Sequence, residues 1–285
     1  MKTLIVPKKY EKKRISKFLL DTFPNLKKGT FYQALRKKDI RLNDKRIHQD
    51  QLIKEKDTIT LYIADSLLFS DKKLAVVYED DHILVVDKPI STEITGPHSL
   101  TTLVQESYPN ANPCHRLDRN TTGLVLFAKD DISLAILLEK FKKREIEKKY
   151  FAKVYGIPKV NHAILDAYLF KDRKKAMVYI IDVPKQGYQK IQTEYTLLSK
   201  DSKENTSILD ITLHTGKTHQ IRAHLAHIGL PIIGDGKYGN NQINKQFHQK
   251  TQLLESYSLT FHFTSTSGIL EYLNGKEFKK ACSFI

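Results

Sequence analysis

Cysteine is scarce in this sequence: Cys114 and Cys282 are the only two. Two thiols cannot build a disulfide framework, nor a zinc site on their own, so a cytoplasmic protein with reduced thiols is expected. Long apolar runs are missing as well. No window reaches the roughly 18 consecutive apolar residues a membrane span needs. The opening stretch MKTLIVPKKYEKKR has no apolar core of the kind a secretory signal carries. Acidic residues are in deficit, 32 against 47 Lys and Arg, which leaves a net charge of +15. The deficit is local: residues 1–63 hold 17 basic and 7 acidic side chains. Most of the excess charge therefore sits in the first fifth of the chain. A concentration of this kind implies an anionic partner, with nucleic acid ahead of a membrane surface.

What is present suffices for a folded protein. Hydrophobic residues make up 40% of 285 positions, a length that accommodates one to three domains. Ile15, Phe18 and Leu19 recur at helical spacing. Thr30 reads as the N-cap of a second helix, with Phe31, Ala34 and Leu35 inside and Arg36, Lys37 and Lys38 at its outer end. IRLNDKRI follows as strand, Asn43-Asp44 turn and strand, and DTITLYI closes the unit. Residues 1–63 thus form a small α/β domain, and residues 64–73 (ADSLLFSDKK) a linker. The 14–63 pattern resembles the alpha-L RNA-binding domain found in a small-subunit ribosomal protein. It departs from the usual form where a small polar residue and an Arg open the second helix, since Thr30-Phe31 stand there.

A larger domain is expected over residues 74–285. HILVVDKP (82–89) and GLVLFAK (123–129) read as strands. Asp130 or Asp131 caps a helix with Leu134, Leu137, Leu138 and Phe141 at helical spacing. YFAKVYG (150–156) and SILDITLHTGK return to strand, and HQIRAHLAHIG is a short helix stopped by Gly229. Strands outnumber helices and do not alternate strictly with them, which argues for an α+β domain with a mixed, largely antiparallel sheet.

Three motifs compete as sites. TGKT (215–218) looks like a phosphate-binding loop, but the required glycine is absent, with Ile211 in its place. His214, His219, His224 and His227 suggest a metal, yet the five-residue step from His219 to His224 turns about 140° on a helix, and no acidic ligand is near in sequence; no metal is expected. Cys114-His115 is a weak thiol pair, because adjacent residues on an extended chain point opposite ways. The third candidate is Asp118, in HRLDRNTTG (115–123). An isolated surface ion pair contributes only about 0–1 kcal/mol. This carboxylate precedes a strongly apolar strand, and Arg222 in THQIRAHLAHIG could reach it. A partly buried carboxylate beside a guanidinium stays ionised and is then a candidate nucleophile or base.

These segments resemble the RluA family of RNA pseudouridine synthases. His115-Arg116-Leu117-Asp118-Arg119-Asn120-Thr121-Thr122-Gly123 matches its His-Arg-Leu-Asp-x-x-Thr-Ser-Gly block. Lys149-Tyr150-Phe151-Ala152-Lys153-Val154-Tyr155-Gly156 fits Lys-x-Tyr-x-Ala-x-Val-x-Gly with one residue fewer. Thr215 to Arg222, His224, Pro231-Ile232-Ile233-Gly234-Asp235 and Tyr238-Gly239 match the later blocks. Lys217 replaces the usual Arg, and Thr122 the usual Ser. Near Lys88-Pro89 the family's glycine is absent until Gly96.

The resemblance implies the pseudouridine synthase fold and isomerisation of uridine to pseudouridine in RNA, without a cofactor. It makes Asp118 the nucleophile, acting either by attack on the sugar or by removing a sugar proton. Arg222 is its ion-pair partner, and Tyr150 stacks on the uracil and could take the C5 proton. Arg116 fills the gap left by the flipped base. Lys217, Arg36, Lys37 and Lys38 contact RNA, and Arg119 is a surface or phosphate contact. The implied partner is large-subunit ribosomal RNA, with transfer RNA open, and the enzyme a monomer with no membrane association. Two further readings stand: a non-catalytic RNA-binding or ribosome-assembly factor, and a nucleoside hydrolase, which would need a water-activating base near Asp118.

Overall fold

The computed structural model describes residues 2–284 except 24, 65–67, 69–73 and 98. The chain divides into two compact units, Met1–Lys73 and Leu74–Ile285. Most of the expected linker lies outside the described residues. Leu68 is an exception, 1% exposed within the core of the first unit.

In the first unit, β1 (Lys2–Ile5), α1 (Ile15–Thr22), α2 (Lys28–Lys37), β2 (Ile40–Leu42), β3 (Lys45–Arg46) and β4 (Thr58–Leu61) follow in order. The sheet order is β1-β4-β2-β3, all antiparallel. The helices bury Ile15, Phe18, Leu19, Phe31, Ala34 and Leu35, the apolar positions read from spacing. Burying such a side chain fully is worth about 1.5–3 kcal/mol. Asn43 and Asp44 both have positive φ (48° and 62°), as a type I′ hairpin requires. Thr30 does not cap the second helix. Lys27 does, from an extended conformation without a side-chain bond. Leu26 and Phe31 are both buried, and the Phe31 amide already donates to the Lys27 carbonyl, so the first turn closes ahead of Thr30. β1 has no local signal; its partner lies more than fifty residues away.

The second unit is one 11-stranded sheet with few helices. Its elements are β5 (Val76–Glu79), β6 (Ile83–Lys88), α3 (Leu100–Gln105), β7 (Asn112–Pro113), β8 (Thr122–Ala128), α4 (Asp131–Lys142) and β9 (Ile146–Tyr155). Next come β10 (His162–Asp172), β11 (Met177–Ile181), β12 (Gln189–Asp201), β13 (Thr206–Leu213), α5 (Gln220–His227), α6 (Asn241–Gln246), β14 (Leu254–Phe261) and β15 (Glu277–Lys279). The main path runs β11-β10-β12-β13-β9-β14-β8-β6-β5. Its pairs are antiparallel except β14 with β8, so the expected mixed, largely antiparallel α+β architecture holds. At that parallel junction Gly123 has φ 107°, and a Cβ there would lie 2.0 Å from the Ser256 carbonyl oxygen. Only glycine lets the two backbones approach so closely.

Asp130 caps α4 by accepting from the Ser133 amide. β8 is buried from Gly123 to Ala128, its side chains divided between cores on the two faces of the sheet. Burial on both faces explains a continuous apolar run in place of alternation. Among the described residues, no helix is long and apolar enough to cross a membrane.

Candidate active site

The turn between β7 and β8 carries Asp118 into a cavity of about 450 Å³. Several groups hold that turn. Lys88 is fully buried, and its ammonium donates to the carbonyls of Pro89, Thr92 and Arg119 at 3.1, 2.8 and 3.0 Å. The loop after Pro89 is thereby tied to the turn. The Thr121 amide donates to the Asp118 carbonyl, and Gln252 to the Thr121 hydroxyl at 2.6 Å. His115 Nε2 accepts from the Leu126 amide at 3.1 Å. Burial, and then the charge of Lys148, push the His115 pKa down to about 3, so the ring is a neutral strut. Burial also pushes the Cys114 thiol upward, which keeps it protonated.

Arg222 reaches Asp118 from α5, 104 residues away in sequence. Its Nη1 donates to Asp118 Oδ2 at 2.8 Å. The same guanidinium grips Asp235 with two bonds, Nε to Oδ2 at 2.7 Å and Nη2 to Oδ1 at 2.9 Å. A planar fork can serve two carboxylates at once in this way, and lysine could not. Asp235 is buried (1% exposed side chain) and Asp118 partly open (25%). Burial opposes ionisation of Asp235, but Arg222 and the amides of Lys237 and Tyr238 outweigh it and lower its pKa. Burial likewise opposes the Arg222 charge, and Asp235, then Asp118, raise the pKa against it. The inner carboxylate is the anchor, and the outer one faces the cavity.

His219 stands next to this pair. It is the left-handed N-cap residue of α5 (φ 55°), with Nε2 4.0 Å from Asp118 Oδ2. Its Nδ1 lies 2.8 Å from the Tyr238 hydroxyl, which accepts from the Val178 amide. With the hydroxyl proton directed at Nδ1, Nε2 carries the ring hydrogen. Burial lowers the His219 pKa more than the Asp118 charge raises it, which keeps the ring neutral. Arg222 donates to Oδ2, and His219 stands off the same oxygen; Asp118 Oδ1 has no hydrogen-bond partner among the described residues.

Tyr150 enters the same cavity from β9 and is 3% exposed. The sequence reading allowed it to accept the C5 proton, which requires a lowered pKa. The shift runs the other way: burial, then the charge of Asp118, raise it. Tyr150 is a phenol at neutral pH. Arg116 and Lys217 are exposed on the cavity rim. Arg36, Lys37 and Lys38 are exposed on the first unit.

The four histidines read as possible ligands have separate partners. His214 faces Glu194, His224 faces Thr193 and His227 faces Asp182, while His219 serves Asp118. The strand register also corrects one motif. Alternation along β9 puts Lys148 and Tyr150 on one face, and both line the cavity. Counted from Lys148, the Lys-x-Tyr-x-Ala-x-Val-x-Gly pattern fits without a missing residue.

Residues 82–227 match the RNA pseudouridylate synthase family. The chain belongs to that family. It is 32% identical over 254 residues to ribosomal large subunit pseudouridine synthase C of Rickettsia typhi, covering 81% of this chain and 83% of that one. It is 30% identical over 275 residues to the protein of the same name from Buchnera aphidicola subsp. Schizaphis graminum, covering 87% and 85%. Among solved structures, human RNA pseudouridylate synthase domain containing 1 superposes with a TM-score of 0.63 at 21% identity, covering 76% of this chain and 86% of that one. That likeness establishes the fold. Family membership makes the chain an RNA pseudouridine synthase, an isomerase, on the α+β scaffold described above.

Proposed function

We propose that this enzyme isomerises uridines of large-subunit ribosomal RNA, with Asp118 as the nucleophilic carboxylate and the target base flipped into the Asp118 cavity. The observation that carries the proposal is the pairing of Arg222 with Asp118 at 2.8 Å while Arg222 is clamped on buried Asp235. Attack on C1′ and removal of a sugar proton have the same requirement: a carboxylate oxygen held in place and free of protein donors. Asp118 Oδ1 fits it, because Arg222 donates to Oδ2 and no described residue donates to Oδ1. The ribosomal substrate is supported by the names of the two relatives.

The reaction breaks the bond from C1′ to N1 and makes one from C1′ to C5. N1 gains a hydrogen and C5 loses one, so composition is unchanged. Asp118 is the only carboxylate among the residues lining the cavity, and once released from the sugar it receives the C5 proton. Tyr150 stacks on the uracil as a phenol. Arg116 fills the space left by the flipped base, whose extrusion costs a few kcal/mol. Lys217 contacts the RNA backbone at the rim.

The first unit acts as an alpha-L-type RNA-binding domain, with Arg36, Lys37 and Lys38 on phosphates. Their exposure at the end of α2 supports this reading, and such contacts make affinity fall as salt rises. The enzyme works as a cytoplasmic monomer, with transfer RNA as the alternative substrate. Mapping pseudouridine in ribosomal and transfer RNA from cells with and without the gene tests the proposal. Loss of specific large-subunit positions is expected; an unchanged ribosomal map would overturn the substrate assignment.

A further inference from the structure

The Asp118 cavity has a neighbour of about 470 Å³, and the two share a wall of Phe141, Lys142, Lys148, Leu213, Gly216 and Lys217. Lys148 is the unusual member. Three lysines of this unit with little exposure are matched with acceptors: buried Lys140 by Glu145 and Ser265, buried Lys88 by three carbonyls, and half-buried Lys280 by Asp87 and Glu255. Lys148 has no carboxylate within ion-pair distance among the described residues, and Glu147 pairs with Lys149 at 3.9 Å. Its Nζ lies 4.9 Å from the centre of the Phe141 ring. On another side is Gly216, where a Cβ would stand 3.8 Å away, in ordinary contact with the ammonium. Burial lowers the Lys148 pKa to about 8.

Lys148 is half-buried; drawing a cation even partly out of water without a counter-charge is costly, and it is tolerated where a ligand supplies the anion. The substrate here is a polyanion. We propose that Lys148 binds a backbone phosphate of the RNA beside the flipped uridine, at the wall between the two cavities, so that the strand passes from the Asp118 cavity into the second one. This rests on the reading of an RNA substrate bound at Asp118. The basic groups around the wall suit the same path: Arg116 on the turn, Lys142 and Arg144 at the end of α4, and Lys217 before α5.

The other titratable groups at the two cavities have their own settings. His115 is neutral, His214 is bonded to Glu194, Lys190 pairs with Asp166 and His262 is exposed at the second cavity. A control that alters Lys148 alone separates it from them.

The test uses the full-length enzyme and a [5-³H]uridine-labelled transcript of large-subunit ribosomal RNA. Tritium release reports turnover, and filter binding reports affinity. For Lys148→Met, KM should rise about tenfold with kcat within about threefold, and the salt slope of binding should fall by about 0.7–0.9, the value of one phosphate contact. Lys148→Arg should restore both. Wild-type affinity should fall about fivefold from pH 7 to pH 9 as the free ammonium, with a pKa of about 8, loses its proton, and Lys148→Arg should abolish that fall. Wild-type KM and salt slope in Lys148→Met would overturn the assignment. So would a kcat loss at unchanged KM that arginine does not rescue, since that pattern marks proton transfer. Absence of wild-type tritium release would remove the underlying substrate reading and this inference with it.

Discussion

Replacing Asp235 by asparagine removes one charge and changes almost no volume. In the wild-type enzyme the carboxylate accepts two bonds from Arg222 and one each from the amides of Lys237 and Tyr238. Asparagine can keep one acceptor; its amide nitrogen would face a guanidinium donor. Arg222 would then remain charged, 90% buried by side-chain area, with Asp118 as its remaining carboxylate partner. Removing one partner of a buried pair costs about 3–5 kcal/mol. For a unit of this size 1 kcal/mol moves Tm by about 2–4 °C, so a drop of roughly 6–20 °C follows. Because the clamp aims Nη1 at Asp118, kcat should fall as well, by about 100-fold if 2.7 kcal/mol of positioning is lost. The pH dependence has a definite sign. The folded pKa of Asp235 lies below its unfolded value, so its contribution is present above the ordinary carboxylate range and is lost as pH falls through the folded value. Asp235→Asn should therefore flatten the acid limb of the stability curve. Thermal unfolding from pH 3 to 8, with tritium-release kinetics at pH 7.5, checks all three. A variant with unchanged Tm and kcat would show that Asp235 does not anchor Arg222.

Two other perturbations bear on separate parts of the account. Tyr238→Phe removes the hydroxyl that fixes the His219 tautomer; kcat should fall about tenfold, the scale of one lost hydrogen bond, and ¹⁵N spectra of the imidazole should change from a single Nε2–H form to a mixture. An unchanged ¹⁵N pattern would refute the tautomer assignment. Deleting residues 1–73 should leave the second unit folded, since it has its own cores, while RNA affinity falls and its salt slope flattens; circular dichroism and binding across 50–200 mM salt measure both, and an unaltered slope would refute phosphate contacts by the first unit.

Much of this was legible in the sequence because it is local. The turn bearing Asp118, the cap at Asp130, the α1 and α2 stripes and the Asn43-Asp44 hairpin each carry their signal within a few residues. Arg222 could be named because its motif is contiguous with a helix. What escaped depends on distance through space. Asp235 stood in a recognised block, but its grip on Arg222 closes across 13 positions of irregular chain. His219 was weighed as a metal ligand, since helical spacing says nothing of Tyr238 or of the left-handed backbone that turns its ring toward Asp118. Strand β10 has an e-i-e-i start and only two buried residues, too little one-sided burial to alternate clearly. Lys148 was passed over because the motif was counted from Lys149; strand alternation, available from the sequence, would have put the lysine on the Tyr150 face.

The most direct test is tritium release from [5-³H]uridine-labelled ribosomal RNA by Asp118→Asn. Asparagine keeps the shape and removes the nucleophilic oxygen. The account requires turnover to vanish while RNA affinity stays within a few-fold of wild type. Retained turnover in that variant would contradict it.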